Sequence, residues 1–140
     1  MLFRSVADAV RAQGRESAAF SVDATNEESM DALAAQASAA FGPFDIIVNC
    51  VGDSIRRPIV PLPDGPAGEM PFSDWQHVVD LNLTHAYLAA RAFGPALLER
   101  RSGTMINISS YSVARGRLAS AAYNSGKAAL NQLTRDLAVE

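Results

Sequence analysis

Short apolar runs alternate with longer amphipathic stretches along the chain. The runs are bounded by turn residues and are rich in β-branched or small apolar residues, which predicts buried strands. The predicted strands are Ser17–Val22, Phe44–Asn49 and Thr104–Ser109. In the amphipathic stretches, apolar residues recur at helical spacing. The predicted helices are Leu2–Gln13, Thr25–Ala40, Ser73–Arg101 and Ser120–Glu140.

The alternation of strands and helices predicts a parallel sheet. Helical crossovers between successive strands form βαβ units, so the expected fold class is α/β, a doubly wound parallel sheet with helices on both faces. Ligands of such sheets bind beyond the carboxyl ends of the strands. The segments that directly follow the strands, 23–25, 49–52 and 110–112, are therefore candidate binding positions. The irregular segment Gly52–Pro71 is long enough to have a function of its own.

The composition indicates a compact cytoplasmic protein. The 140 residues suit one domain, and 49% hydrophobic against 19% charged residues suffice for a buried core. A net charge of -3 and the lack of a basic cluster argue against a nucleic-acid partner. The single cysteine, Cys50, excludes an internal disulfide and fits a reducing compartment. Arg91 and Gly94-Pro95 break the longest apolar stretch, and no signal peptide opens the chain, so no membrane partner is expected.

Tyr123 and Lys127 are the first candidates for chemistry. They are four positions apart in a predicted helix and therefore lie on one face, about a turn from each other. A tyrosine hydroxyl becomes an acid or base near neutral pH only if a neighbour, such as an ammonium group, stabilises the phenolate. Ser110, thirteen residues earlier and just past a strand, has a hydroxyl that can hydrogen-bond a substrate oxygen. The alternatives are a packed aromatic beside a solvated lysine, and a loop serine that bonds local backbone.

Asn82 is a polar residue on an apolar stripe of its helix, shared with Trp75, Val78, Val79 and Ala86. A buried amide must find hydrogen-bond partners or cost about 1–3 kcal/mol. It either serves a site or is satisfied by neighbouring backbone. The two histidines, at positions 77 and 85, lie off the stripe and are predicted to be surface residues. No spacing of His, Cys, Asp and Glu indicates a metal site, and Cys50 has no adjacent base.

Four segments together resemble the short-chain dehydrogenase/reductase family: "DIIVNCVG", "DLNLTHAYLAARA", "GTMINISSYS" and "AAYNSGKAALNQLTRDLAVE". The resemblance implies that Tyr123 is the catalytic acid/base. It implies that Lys127 binds the nicotinamide ribose and favours the ionised form of the tyrosine, and that Ser110 positions and polarises the substrate oxygen. Asn82 would hold a water molecule in a proton relay behind the lysine.

The same resemblance implies an NAD or NADP cofactor. "VDAT" resembles an Asp-Val-Thr segment of the family, so Asp23 and Ala24 would lie at the adenine. "NCVG" resembles an Asn-Asn-Ala-Gly turn, so Asn49, Val51 and Gly52 would line the adenosine ribose. Valine is bulkier than the alanine of the pattern and would alter the fit at the ribose.

A Gly-rich phosphate-binding turn, Thr-Gly-x-x-x-Gly-x-Gly in the family, has no match in the chain. The first helix resembles the one that follows the second strand of the family. We therefore expect a single partial NAD(P)-binding Rossmann-like domain over residues 1–140, incomplete because its first two strands and its C-terminal strands are absent. A fragment of this kind is expected to bind dinucleotide weakly and to turn over negligibly.

The substrate expected from the resemblance is a small alcohol or ketone. "SIRRPIVPL" and "SYSVARGRLASAAYNSGKAAL" look most like sugar-acid dehydrogenases of the gluconate 5-dehydrogenase type. Arg56 and Arg57 would then pair with a substrate carboxylate, the alternative being plain solubility. A 3-oxoacyl-(acyl carrier protein) reductase-like enzyme is the second reading. The third is a non-catalytic remnant that associates through Ser73–Arg101 and Ser120–Glu140, the helices through which the family forms homotetramers or homodimers.

Overall fold

The computed structural model describes residues 2–65 and 68–140, with side chains from Val6 onward. Five α-helices, two strands, one π-helical turn and one 3-10 turn are assigned within these residues. In chain order they are α1 (Leu2–Ala12), α2 (Glu27–Phe41), β1 (Ile46–Asn49), α3 (Phe72–Val79), the π turn (Asp80–Thr84), α4 (His85–Arg100), β2 (Thr104–Asn107), the 3-10 turn (Tyr111–Ala114) and α5 (Ala121–Leu137).

The two strands form a parallel sheet, which confirms the α/β class in incomplete form. Ile46 of β1 is in register with Thr104 of β2, and Asn49 with Asn107. The Thr104 N–H donates to the Asp45 carbonyl at 2.8 Å, and the Ile108 N–H to the Asn49 carbonyl at 2.9 Å. The backbone N–H and C=O groups of the odd-numbered residues of β1 therefore face β2. Because this direction alternates along a strand, the even-numbered groups face the other, unpaired edge.

The predicted strand Ser17–Val22 is wrong, because residues 15–23 form no ladder. A strand needs a partner for its backbone groups, and this segment has none within the described residues. An apolar groove of about 380 Å³ separates the segment from the unpaired edge of β1. We call it the apolar groove; Ala18, Phe20 and Val22 line one side, and Phe44, Ile46 and Val48 the other. Ile46 and Val48 are 62% and 54% exposed.

The starts of α2 and α3 differ from the predicted starts of these helices, Thr25 and Ser73. Asn26 caps α2, since its side chain accepts the Ser29 N–H at 2.8 Å. Thr25, where the helix was predicted to begin, instead donates its hydroxyl to Asp23 Oδ1 at 2.7 Å. Helix α3 begins after Pro71 with no side-chain cap, one residue before the predicted Ser73. The start of α2 is therefore set by Asn26, whose side chain accepts a backbone N–H of the first turn, and not by the Thr25 hydroxyl.

The segment Phe72–Arg100, which we call the long helix, is one helix that contains the π turn. At the turn, the His85 N–H reaches back five residues to the Asp80 carbonyl. The side-chain Nδ2 of Asn82 donates to the Val78 carbonyl at 2.7 Å, which a regular α-helix would reserve for the backbone N–H. Single π turns inside α-helices occur frequently at functional sites.

The core is small and lies where the long helix meets its neighbours. Helix α3 and the π turn pack against α5, whereas α4 packs against α2 and the sheet. Met30 of α2 and Leu88 of α4 form a buried cluster that Phe93 joins from the side. The rings of Phe44 and Phe93 meet edge to face at 6.0 Å. The two packing faces of the long helix thus differ before and after the π turn.

The predicted loop Gly52–Pro71 is irregular throughout its described part, and its residues 66 and 67 lie outside the described residues. The Met70 N–H donates to the Pro58 carbonyl at 2.8 Å, so the two stems of the loop lie side by side. In the described part of the chain, no helix has the length and apolarity needed to cross a membrane.

Candidate active site

Lys127 is the buried cation of the site. Helix α5 places it one turn after Tyr123, and its side chain is 4% exposed. Its Nζ donates to the Ile108 carbonyl at 2.9 Å and to the Val51 carbonyl at 3.3 Å, at the ends of the two strands. An ammonium group has three donors, so one N–H remains. Burial lowers the pKa of Lys127, and the nearby Cys50 thiol opposes this shift.

Asn82 is fully buried and only half satisfied. Its Nδ2 donates to the Asp53 and Val78 carbonyls, both at 2.7 Å, which matches the structural alternative for this amide. Its Oδ1, however, has no partner among the described residues. A Cβ atom added at Gly52 would lie 2.8 Å from this Oδ1 and 3.2 Å from Lys127 Nζ. A free acceptor and a free donor therefore face the same small space, which stays open because residue 52 is glycine.

Ser110 begins a chain of hydrogen bonds that sequence reasoning missed. Its Oγ lies 2.8 Å from Ser112 Oγ, and Ser112 Oγ donates to Asn124 Oδ1 at 2.8 Å. A hydroxyl has one proton, so Ser110 donates to Ser112 in this arrangement. A half-turn of the Asn124 amide would reverse the direction and leave the proton of Ser110 free for a substrate oxygen. The only sequence signal was the position of Asn124 directly after Tyr123.

A polar pocket of about 290 Å³ brings Ser110 and Tyr123 together. Its lining consists entirely of residues with polar or charged side chains. They are Asp53, Ser54, Arg56, Ser110, Tyr111, Ser112, Arg117, Ser120, Tyr123 and Asn124. We call this the polar pocket. Arg57 is not part of its lining and instead faces Asp74 at 3.6 Å, so the structure separates the two arginines that the sequence grouped. Arg117 lines the pocket and was not predicted.

Three residues predicted to contact the cofactor, Ala24, Asn49 and Val51, line the apolar groove. The Asn49 Nδ2 donates to Asn107 Oδ1 at 2.7 Å, so this side chain braces the two strand ends. Asp23 lies on the surface, where hydrogen bonds from the Thr25 hydroxyl and then from its backbone N–H hold the pKa of the carboxyl below its usual value. The groove and the polar pocket are joined through the backbone at Gly52, because Val51 lines one and Asp53 the other.

His85 was predicted to lie on the surface, and this prediction is wrong. Its side chain is 1% exposed and borders the apolar groove. Neither ring nitrogen has a partner at hydrogen-bond distance and angle among the described residues, although the Leu81 backbone lies close enough to affect the pKa of the ring. Burial lowers the pKa of His85 to about 4, the charge of Lys127 adds to this shift, and the Leu81 carbonyl opposes it. His85 follows Val78 by seven residues and Asn82 by three, spacings that place all three on one face of a regular helix, so the apolar stripe extends to this position.

The described residues hold no group of three or more His, Cys, Asp or Glu side chains suited to a metal ion. The site is thus built from hydroxyls, amides and one buried ammonium at the carboxyl ends of two parallel strands. This arrangement belongs to the Rossmann-like class of α/β proteins.

The chain belongs to the short chain dehydrogenase family, whose sequence model matches residues 2–140. It is 33% identical over 140 residues to a 3-oxoacyl-[acyl-carrier-protein] reductase of Synechocystis, covering 97% of this chain and 53% of that protein. It is 30% identical over 128 residues to 5-keto-D-gluconate 5-reductase of Escherichia coli K12, covering 91% and 47%. A crystal structure of a metagenomic short-chain oxidoreductase in complex with NADP matches with a TM-score of 0.83 and 31% identity, covering 95% and 57%. The chain spans about half the length of the curated relatives it matches.

Proposed function

We propose that this chain is part of an NAD(P)-dependent oxidoreductase that interconverts a secondary alcohol and a ketone, with a sugar acid such as gluconate as substrate. One observation carries the proposal: Ser110 and Tyr123 share a pocket, one helical turn from a buried lysine that retains a free donor. The NADP complex of one relative and the keto-gluconate activity named for another support it.

In the proposed mechanism, Tyr123 moves the proton. Its hydroxyl gives a proton to the carbonyl oxygen during reduction and takes it back during oxidation. With the Asn124 amide turned by half a turn, so that the hydroxyl chain runs outward, Ser110 donates to the same oxygen and stabilises the charge that develops on it. Lys127 lies one helical turn after Tyr123, and its free donor and Asn82 Oδ1 offer two contacts to a bridging water. The nicotinamide cofactor, when bound, supplies or accepts the hydride.

The residues present fit part of a dinucleotide. When the cofactor is bound, a ribose hydroxyl would replace that water at the one free N–H of Lys127, in the space over Gly52 that a Cβ atom would fill. Ala24, Val51 and the backbone of Asn49 would hold the adenosine in the apolar groove, with Asp23 at the adenine amino group. The printed sequence has no Thr-Gly-x-x-x-Gly-x-Gly turn for the phosphates. We therefore predict weak dinucleotide binding and negligible turnover for the 140 residues alone.

The lining of the polar pocket favours a sugar acid over a fatty acyl substrate. All of its side chains are polar or charged, and its volume of about 290 Å³ is at the small end for ligand pockets. Several hydroxyls on a compact substrate would find partners there, whereas an acyl chain would leave them unsatisfied. The 3-oxoacyl reductase reading remains the second candidate because one relative carries that name.

The partners proposed for the whole protein are a small-molecule substrate and further copies of itself, as a homodimer or homotetramer, in the cytoplasm. The long helix and α5 are the proposed contact elements. Tyr87 and Leu98 of α4 support this assignment, because they are large apolar residues exposed on that helix.

The test begins with the coding sequence upstream of Met1, where a Gly-rich turn is expected. The product of the complete reading frame should oxidise NADH or NADPH with 5-keto-gluconate and should prefer it to an acetoacetyl thioester. The Tyr123→Phe variant should lose at least about 100-fold in kcat while folding normally. Full activity in this variant would contradict the assignment of the acid/base. Saturable NAD(P)H oxidation by the 140-residue chain would contradict the prediction of weak binding.

A further inference from the structure

The polar pocket carries an excess of positive charge. Three charged side chains line it, one carboxylate from Asp53 and two guanidinium groups from Arg56 and Arg117. Asp53 Oδ1 already accepts the Ser54 N–H at 2.7 Å. Among the described residues, neither arginine has a carboxylate within ion-pair distance, in contrast to Arg57 beside Asp74. The pocket therefore holds two guanidinium groups with free donors.

The two arginines reach the pocket from separate parts of the fold. Arg56 follows the end of β1, and Arg117 lies between the 3-10 turn and α5. Ser110 and Tyr123 line the same space of about 290 Å³, so a group held by the arginines is close to the proposed reacting oxygen. A guanidinium offers a planar fork of donors that matches a carboxylate in two parallel hydrogen bonds.

We propose that Arg117, together with Arg56, forms a carboxylate-binding subsite that selects compact hydroxy or keto acids. The inference rests on the proposed function, because the subsite is part of the same pocket. The two arginines of this subsite are thus Arg56 and Arg117, whereas the sequence had suggested Arg56 and Arg57. A neutral polyol of the same length fills the pocket equally well but leaves both guanidinium groups without an anion.

The experiment measures binding without cofactor or turnover. Uniformly ¹⁵N-labelled 140-residue chain is titrated with D-gluconate, with sorbitol as the neutral counterpart and with glucose 6-phosphate as a different anion, and amide shifts are followed by NMR. Gluconate should shift the amides of Ser110, Ser112 and Asn124 and should bind at least about 10-fold more tightly than sorbitol. Arg117→Ala should weaken gluconate binding about 10-fold, and Arg117→Lys by less, because the charge remains while the fork is lost.

Arg115→Ala is the matched control, since this exposed arginine is in the same loop but outside the pocket lining. It should retain gluconate affinity within about twofold, because an exposed charge outside the lining contributes little. Equal losses in the 115 and 117 variants, no loss in Arg117→Ala, tighter binding of the phosphate, or no gluconate shifts in the wild type would each overturn the subsite. Failure of the redox function would instead appear in the turnover assay of the complete reading frame, with gluconate binding intact.

Discussion

The buried imidazole of His85 should make the fold sensitive to acid. An unfolded histidine takes up a proton near its ordinary pKa of 6.5, whereas the folded one does so only near 4. Between these values the unfolded state binds more protons, so stability falls as the pH falls. One pKa unit corresponds to about 1.4 kcal/mol, so a change from pH 7.5 to 5 should remove about 2 kcal/mol. This is a large share of the 5–15 kcal/mol typical of a domain.

The assay is urea denaturation followed by circular dichroism at pH 7.5 and 5, at constant ionic strength. The chain has two histidines, which provide a matched pair of variants. In His85→Leu the loss attributed to the buried ring should disappear. His77→Leu should keep the full pH dependence of the wild type, because His77 is exposed. At pH 7.5, His85→Leu should also be more stable by about 1–3 kcal/mol, since two unpartnered ring nitrogens are removed.

The reasoning is refuted if the wild type and His85→Leu lose the same free energy of unfolding between pH 7.5 and 5. It is refuted equally if the ring protons of His85, followed by NMR in the folded chain, titrate near the ordinary value. Carboxylates contribute little in this range, because most of them titrate below pH 5.

Further changes test packing, the open strand edge and the hydroxyl chain. Gly126→Ala should destabilise the fold by about 1–3 kcal/mol, because the added Cβ atom would lie 3.0 Å from the Cβ atom of Asn82. Gly94→Ala should stabilise it by up to about 1 kcal/mol, because nothing lies within 4 Å of the added Cβ atom. Urea denaturation measures both changes. Val48→Lys should reduce aggregation of the 140-residue chain in sedimentation velocity, because a charge on the unpaired strand edge opposes strand pairing between copies, a contact separate from the helix contacts proposed for the whole protein. Unchanged aggregation would contradict pairing at this edge. Asn124→Asp should lower kcat/KM of the complete protein at least about 10-fold, and by more than Asn124→Ala. A carboxylate can only accept hydrogen bonds, so it would keep Ser112 donating to residue 124 and Ser110 donating to Ser112. Equal losses in the two variants would contradict this direction of the hydrogen bonds.

Elements determined by local patterns were predictable from the sequence. The helical spacing in Leu2–Gln13 and the β-branched run in Phe44–Asn49 led to α1 and β1, with ends shifted by one or two residues. The failure at Ser17–Val22 has a different origin. Its composition suits a strand, but a ladder also requires a neighbouring strand, and no local pattern reports whether one is there.

In the candidate site, too, the features of a single helix were predictable, whereas the contacts between elements were not. The spacing of Tyr123 and Lys127 is a property of one helix and could be predicted from the sequence. Arg117 lines the pocket because of the path of the loop before α5, which no local pattern reports. Arg57 does not line the pocket and instead faces Asp74, which α3 supplies. The burial of His85 could have been predicted, because its spacing of seven residues from Val78 and three from Asn82 places it on their face of the helix.

The π turn makes the position of a deletion in the long helix decisive. A turn closed over five residues holds one residue more than a turn closed over four, so the extra residue is taken up within Asp80–Thr84. Deleting one residue of the turn would therefore give a regular helix in which α4 keeps its side toward α2 and the sheet, with Leu88 still in the cluster it shares with Met30. Deleting one residue within α4 itself would instead rotate everything that follows by about 100°.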